Sequence, residues 1–171
     1  MTNRKKENAL ILSQEEIASG IFSLWLKTEA AGQARPGQFI SMYTNDGSRL
    51  LPRPISICEI DRGREALRVV YRVTGPDTGT ELFSRMKAGD VIPVIGPLGN
   101  GFPMERAEGK RVFLIGGGIG VPPILELAKQ LNCEKKQIVV GYRNKETFLR
   151  NEFEQNGELY ISTEDGSTGT R

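Results

Sequence analysis

The chain has 171 residues, 38% of them hydrophobic and 26% charged, with a net charge of +2: room for one ordinary domain or two small ones, and no reason to expect nucleic acid or an acidic membrane as partner. It contains no histidine, and its two cysteines, Cys58 and Cys133, lack Cys-x-x-Cys spacing, which excludes histidine-based nucleophilic catalysis, histidine zinc sites and an iron–sulfur cluster built within this chain. No apolar run approaches transmembrane length and the first residues carry no signal-like apolar core, so a cytoplasmic location is expected.

In chain order, residues 2–7 (TNRKKE) are polar and charged and read as a short frayed terminus. Residues 8–13 and 20–27 (GIFSLWLK) read as strands, separated by a break at Ser13-Gln14-Glu15-Glu16. Arg35-Pro36-Gly37 signals a turn, and residues 38–43 (QFISMY) a third strand. Asn45-Asp46-Gly47-Ser48 marks another turn, before a strand from Arg53 to about Ile60. Asp61-Arg62-Gly63-Arg64 leads to residues 66–73 (ALRVVYRV), and residues 91–95 make the last strand. Short strands at this spacing predict a small antiparallel barrel. Between the last two strands, a threonine- and glycine-rich stretch precedes a short helical face of Leu82, Phe83 and Met86 over residues 81–86. Residues 96–102 (GPLGNGF) form a glycine-dense loop, open to close approach by a flat ligand or simply linking two domains.

Polar residues 103–109 mark the expected boundary, giving domains 1–105 and 110–171. Beyond it, residues 111–115 (RVFLI) are a compact apolar run, as expected of a buried parallel strand. Helical spacing of Ile124, Leu127, Ala128 and Leu131 follows, then a strand at 137–142, a helix over 146–154 and a strand at 158–162. That is βαβαβ, one mononucleotide-binding half of a doubly wound sheet. Half a parallel sheet leaves an edge strand and apolar surface uncovered, so residues 110–171 are expected to be poorly stable unless something covers them.

With histidine absent, chemistry is expected to belong to a bound cofactor, with no catalytic side chain and no metal ligand here. Three stretches are candidates to hold one. In Leu51-Pro52-Arg53-Pro54-Ile55-Ser56-Ile57 two prolines hold Arg53 in extended geometry, where its guanidinium suits a phosphate; an exposed arginine on a strand is the alternative. Strict alternation puts Arg53 and Ser56 on opposite faces, so one ligand touching both calls for a bulge between them. Thr78-Gly79-Thr80 enters a helix and offers either a phosphate site or an ordinary N-cap. Gly116-Gly117-Gly118-Ile119-Gly120-Val121-Pro122-Pro123 lies between a strand and a helix, the context in which a glycine loop cradles a dinucleotide diphosphate. After the next strand, Gly141-Tyr142-Arg143 carries no acid for a ribose 2′-hydroxyl, and Arg143 meets a 2′-phosphate or is a solvated strand end.

Arg53-Pro54-Ile55-Ser56 resembles the Arg-x-x-Ser flavin motif of the ferredoxin–NADP reductase superfamily, and Gly118-x-Gly120-x-x-Pro123 is similar to its nicotinamide-domain loop. With Tyr71-Arg72 and residues 96–102 downstream, the pattern resembles one branch, the electron-transfer subunits of dihydroorotate dehydrogenase B. The resemblance implies a ferredoxin reductase-like fold, an antiparallel FAD-binding barrel followed by a partial parallel βαβαβ nucleotide-binding domain. It implies FAD held by Arg53, Pro54, Ile55 and Ser56, with Ser56 near flavin N5. Val70, Tyr71 and Arg72 would line the other side, Tyr71 stacking or hydrogen-bonding, and Gly79 and Thr80 would touch the FAD diphosphate. Gly117, Gly118, Gly120 and Pro123 would take NAD(H), and residues 163–167 would face the nucleotide. It further implies a partner, the FMN-containing catalytic dihydroorotate dehydrogenase subunit, in a heterotetramer serving pyrimidine biosynthesis. A [2Fe-2S] cluster of the full-length family has its ligands outside this chain, which is expected to be an N-terminal portion. Alternatives are a flavin reductase subunit of another NAD(P)H-dependent complex, ferredoxin- or hydrogenase-linked, and a non-catalytic flavin- or nucleotide-binding module.

Overall fold

The computed structural model describes residues 6–44 and 51–170. Its first six strands are β1 (Lys6–Ala18), β2 (Ile21–Lys27), β3 (Phe39–Met42), β4 (Arg53–Asp61), β5 (Ala66–Arg72) and β6 (Val91–Leu98). They close into an antiparallel barrel in the order β1-β2-β5-β4-β3-β6. Alternation builds its interior: Phe22, Leu24 and Leu26 of β2, Leu67, Val69 and Tyr71 of β5, and Ile92 and Val94 of β6 pack into one cluster. The short helix α1 (Gly79–Ser84) adds Phe83 to it.

The break expected at residues 13–16 is not there. Gln14, Glu15 and Glu16 are strand residues paired with Leu24, Ser23 and Phe22, and β1 absorbs its polar run through irregularities at Ile11/Ser13 and Glu16/Ala18. Lys6 and Glu7, expected to fray, pair with Ile95 and Val94 of β6. Residues 2–5 and the turn at 45–48 lie outside the described residues. The glycine-dense loop begins later than expected, because Gly96, Pro97 and Leu98 complete β6.

A 3₁₀ turn over Met104–Ala107 leads to a parallel sheet of β7 (Arg111–Gly117), β8 (Lys135–Tyr142) and β9 (Glu158–Thr163), ordered β7-β8-β9. The crossovers carry α2 (Pro123–Gln130) and α3 (Arg150–Glu154). The helix expected over 146–154 is therefore only its second half. Leu149 takes a left-handed φ of 64° just before it, so helical geometry starts one residue later, while Phe148, Leu149 and Phe153 are buried as the apolar spacing requires. Both helices cover the sheet face made by Leu114, Ile138, Val140 and Tyr142. Register places Phe113–Gln137–Glu158 and Ile115–Val139–Tyr160 in rows on the opposite face. Phe113 is 62% and Ile115 72% exposed, so the run expected to be buried is buried on one side only.

The two sheets share a core. Ile21, Cys58 and Val70, on the outside of the barrel, pack with Ile124, Leu127 and Phe153. Among the described residues no helix is long and apolar enough to cross a membrane.

Candidate functional site

The barrel has a seam. β4 pairs with β3 over residues 53–56 but with β5 only over residues 57–61. β5 continues through Val70, Tyr71 and Arg72, paired there with Ser23, Phe22 and Ile21 of β2. Neighbouring strands thus diverge at one end, and residues 54–56 face residues 70–72 where their mutual ladder has ended. Pro54 sits in this stretch, so its missing N–H removes no bond to β5. The bulge expected between Arg53 and Ser56 is absent: residues 53–56 run in unbroken register with residues 42–39. The irregularity falls one step later, between Ile57 and Glu59 against β5. Arg53 therefore shares the inward parity of Ile55 and Ile57, and Ser56 the outward parity of Cys58. A single ligand reaches both only by lying along the seam.

At the mouth of the seam the structure brings Arg53 and Gly79 together. A Cβ built on Gly79 would lie 3.1 Å from Arg53 Nε and 3.4 Å from Thr44 Cγ2, so any other residue there would push the guanidinium aside by a few tenths of an ångström. Arg53 Nη1 donates to the Leu51 carbonyl at 3.1 Å, leaving further donors of the fork directed elsewhere. Thr78 is the N-cap of α1, its hydroxyl accepting from Glu81 N at 3.3 Å. Thr80 is buried and its hydroxyl accepts from Thr74 N at 3.1 Å, so its side chain serves the turn. Tyr71 departs from expectation. Its ring is 1% exposed inside the barrel, stacked on Phe22 with centroids 5.8 Å apart, and its hydroxyl donates to Gln14 Oε1 at 2.7 Å. Burial pushes that phenol well above its ordinary pKa. Only the backbone of Tyr71 is left to the seam. Val70 likewise turns its side chain into the apolar core shared with α2.

The second part of the site is the glycine loop at the carboxyl ends of β7–β9. Gly116 is a packing glycine: a Cβ there would lie 3.0 Å from the Gly120 carbonyl and 3.1 Å from Ile124 Cδ1. Gly118 adopts a φ of 53°, and Gly117 and Gly120 face open space, so the backbone is exposed to a ligand. Pro122 and Pro123 open α2 where no N–H is lost to the helix. Gly117, Gly141 and Ser162 stand side by side in register and make a floor of small residues. The cavity above is about 760 Å³, lined by Gly117, Gly118, Gly141, Arg143, Thr163 and Glu164 among others. Arg72 also lines it, its Nη2 3.8 Å from where a Gly118 Cβ would be. The end of β5 thus belongs to both parts, which the sequence alone does not reveal. Gly141 and Ser162 were not among the expected ligand-binding positions. Their signal is the register, which appears once the strands are paired.

Residues 99–102 fold back on the Arg35-Pro36-Gly37 turn, with Phe102 N donating to the Pro36 carbonyl at 2.8 Å and Gln38 Nε2 to the Gly99 carbonyl at 2.7 Å. They border a different, polar cavity of about 830 Å³ with Glu7, Arg35 and Arg62. Among the described residues there is no group of three or more His, Cys, Asp or Glu side chains that could hold a metal ion, and both cysteines are free thiols.

No family model matches the chain. It is 43% identical to the dihydroorotate dehydrogenase B (NAD(+)) electron transfer subunit of Enterococcus faecalis, over 97% of this chain and 64% of that protein. It is 43% identical to the protein of the same name from a Geobacillus species, over 98% of this chain and 66% of the relative. The chain thus spans just under two thirds of the length of these relatives. Among solved structures, it superimposes on the NADH-dependent reduced ferredoxin–NADP oxidoreductase studied for flavin-based electron bifurcation, with a TM-score of 0.83, 28% identity, and coverage of 100% of this chain and 61% of that one. The ferredoxin NADP+ reductase of Neisseria gonorrhoeae, solved with bound FAD and NADP, matches in fold, with a TM-score of 0.81, 17% identity, and coverage of 97% of this chain and 71% of that one. A barrel with a seam, a glycine loop on a parallel sheet, and this level of identity along nearly the whole chain agree: over the length it shares with them, the chain is similar to the dihydroorotate dehydrogenase B electron transfer subunits.

Proposed function

We propose that this chain is the FAD-binding, NAD-facing part of an electron transfer subunit that passes electrons between a catalytic partner subunit and NAD. The observation that carries the reading is the seam between β4 and β5, with Arg53 against Gly79 at its mouth and the glycine loop beside its β5 end. A Cβ at Gly79 would fill the space beside the guanidinium, so the residues present fit a diphosphate there.

When bound, FAD supplies the exchange of a hydride with nicotinamide and of single electrons with other centres. The chain's own residues bind and orient. Arg53, with the N–H groups opening α1, neutralises the FAD diphosphate; Pro54, Ile55 and Ser56 along β4 and the backbone of Val70 and Tyr71 along β5 form the two walls of the flavin site. Gly117, Gly118, Gly120 and Pro123 hold the dinucleotide diphosphate at the amino end of α2. No side chain need accept or donate a proton, because hydride transfer depends on distance and alignment. NAD is preferred to NADP on the strength of the relatives' name. The division into a flavin unit of residues 1–105 and a nucleotide unit of residues 110–171 belongs to the same proposal, as do the FMN-containing dihydroorotate dehydrogenase partner, a heterotetramer with it, and a cytoplasmic setting. A [2Fe-2S] cluster finds no ligand set among the described residues, and no step here runs through one.

The test is the visible spectrum of the purified chain, with the released chromophore identified by chromatography. Bound FAD is expected in the parent chain, and Arg53→Ala is expected to weaken its retention at least about ten-fold, since truncating one member of a charge-assisted pair costs roughly 1.5–3 kcal/mol. A folded chain that stays colourless when incubated with excess FAD overturns the proposal.

A further inference from the structure

Between barrel and sheet lies a buried ion cluster that binds neither proposed ligand. Glu59 of β4 stands at its centre. Its Oε2 accepts from Arg68 Nη1 of β5 at 2.6 Å, and its Oε1 accepts from Lys129 Nζ of α2 at 2.8 Å. Arg68 also donates through Nε to Ser23 Oγ of β2 at 2.8 Å and through Nη1 to Glu152 of α3 at 3.3 Å. Beside it, Glu126 of α2 is 3% exposed and accepts from the Ile60 backbone N–H of β4 at 2.8 Å. That N–H is available because β3 leaves β4 after Ser56. Both helices of the sheet are therefore tied, by directional bonds, to two adjacent strands of the barrel just where β4 becomes irregular.

Apolar burial between the units is non-directional: Cys58 and Val70 against Ile124 and Leu127 tolerate sliding and rotation. Net stability is a poor reason for an ion cluster here, since a buried pair is often no better than well-packed apolar residues of similar volume. What it adds is bearing. α2 carries the glycine loop at its amino end, and β4 carries the seam at its own, so the angle between them sets how the loop meets the seam. Burial works against the charge of Arg68, yet Glu59 more than compensates and the guanidinium is held above its ordinary pKa, as is the Lys129 ammonium. Both cations therefore stay charged at any physiological pH.

Resting on the proposed function, we propose that Glu59, Arg68, Lys129 and Glu126 are positioning residues, fixing α2 on the barrel so that nicotinamide and flavin meet at hydride-transfer distance, while touching neither. In that transfer the C4–H bond of NADH would break with both its electrons, the hydride and one proton from water would be taken up by bound FAD, and NAD+ would be released.

The experiment is anaerobic stopped-flow reduction of the FAD-loaded chain by NADH. The variants are Lys129→Met, which severs the tie from the α2 side at a half-exposed residue, Glu59→Gln, and Lys129→Arg as the conservative rescue. In Lys129→Met the limiting rate of flavin bleaching is expected to fall by about ten-fold or more, with a weakened long-wavelength charge-transfer band, the cost of a displacement below about 1 Å. The apparent NADH dissociation constant, FAD content and melting temperature stay near those of the parent, and Lys129→Arg restores the rate. An unchanged limiting rate in Lys129→Met overturns the inference, and so does a loss of rate matched by equal losses of FAD or NADH binding. Failure of the parent chain to be reduced at all sinks the functional reading instead, a result distinct from either.

Discussion

At the scale of single residues, the two thiols show how position decides chemistry. Cys58 is fully buried at the junction of barrel and sheet, and burial pushes its pKa far above the ordinary thiol value, with the Glu59, Glu152 and Glu126 carboxylates adding to the effect against Arg68. The thiolate is the reactive form, so Cys58 is inert in the native protein at pH 8–9, while half-buried Cys133 is accessible. Titration with a thiol-reactive chromogen should give one fast thiol without denaturant, abolished in Cys133→Ser, and a second only on unfolding. Fast native labelling of Cys58 would mean that the junction opens readily. Tyr71 carries the same lesson. The sequence presents it as an aromatic next to an arginine in a flavin-like motif, but the alternation of β5 sends its ring inward with Leu67 and Val69. The strand pattern outranks the motif.

At the scale of elements, Gln14 is the clearest instance of a residue misread for want of its partners. Within Ser13-Gln14-Glu15-Glu16 it looks like part of a break; in the fold its side chain accepts from Tyr71 and donates to the carbonyls of Phe83 and Met86, at 2.9 and 2.7 Å. It thereby satisfies carbonyls at the carboxyl end of α1, a helix of six residues that cannot stand by itself. Replacing Gln14 by Ala is expected to lower stability by about 1–3 kcal/mol in chemical denaturation, because the Tyr71 hydroxyl and the Met86 carbonyl lose the partner Gln14 gives them, while the Phe83 carbonyl keeps only its backbone donors. A change below roughly 0.5 kcal/mol, as for an ordinary surface position, would show that α1 is held otherwise. Elements with strong local signals were legible: the strands ending at Asp61 and Arg72, the loop at residues 116–120, and the helix after it. Less legible were features set by pairing, such as the bulges that keep β1 continuous, the place where β4 leaves β5, and the left-handed Leu149 that shortens α3. The glycine loop was found because its spacing is local; the neighbouring floor of Gly141 and Ser162 was not, because it exists only across strands.

For the molecule as a whole, the two faces of the parallel sheet are unequal. One lies under α2 and α3; the other presents Phe113, Ile115 and Tyr160 to solvent. Residues already in water lose little when made polar, and threonine keeps strand propensity, so Phe113→Thr with Ile115→Thr should leave the melting temperature within about 2–4 °C of the parent, the span of roughly 1 kcal/mol or less. Binding of an apolar fluorescent dye should fall at the same time. A large loss of stability would mean that this face is covered in solution. The barrel–sheet junction has the opposite character, and its ionic make-up bears on heat. Hydration of charged groups becomes less favourable on warming, so the penalty for keeping Glu59 and Arg68 from water shrinks, whereas apolar burial per unit area levels off. On warming, the contacts of this joint that have direction therefore gain weight relative to those that have none.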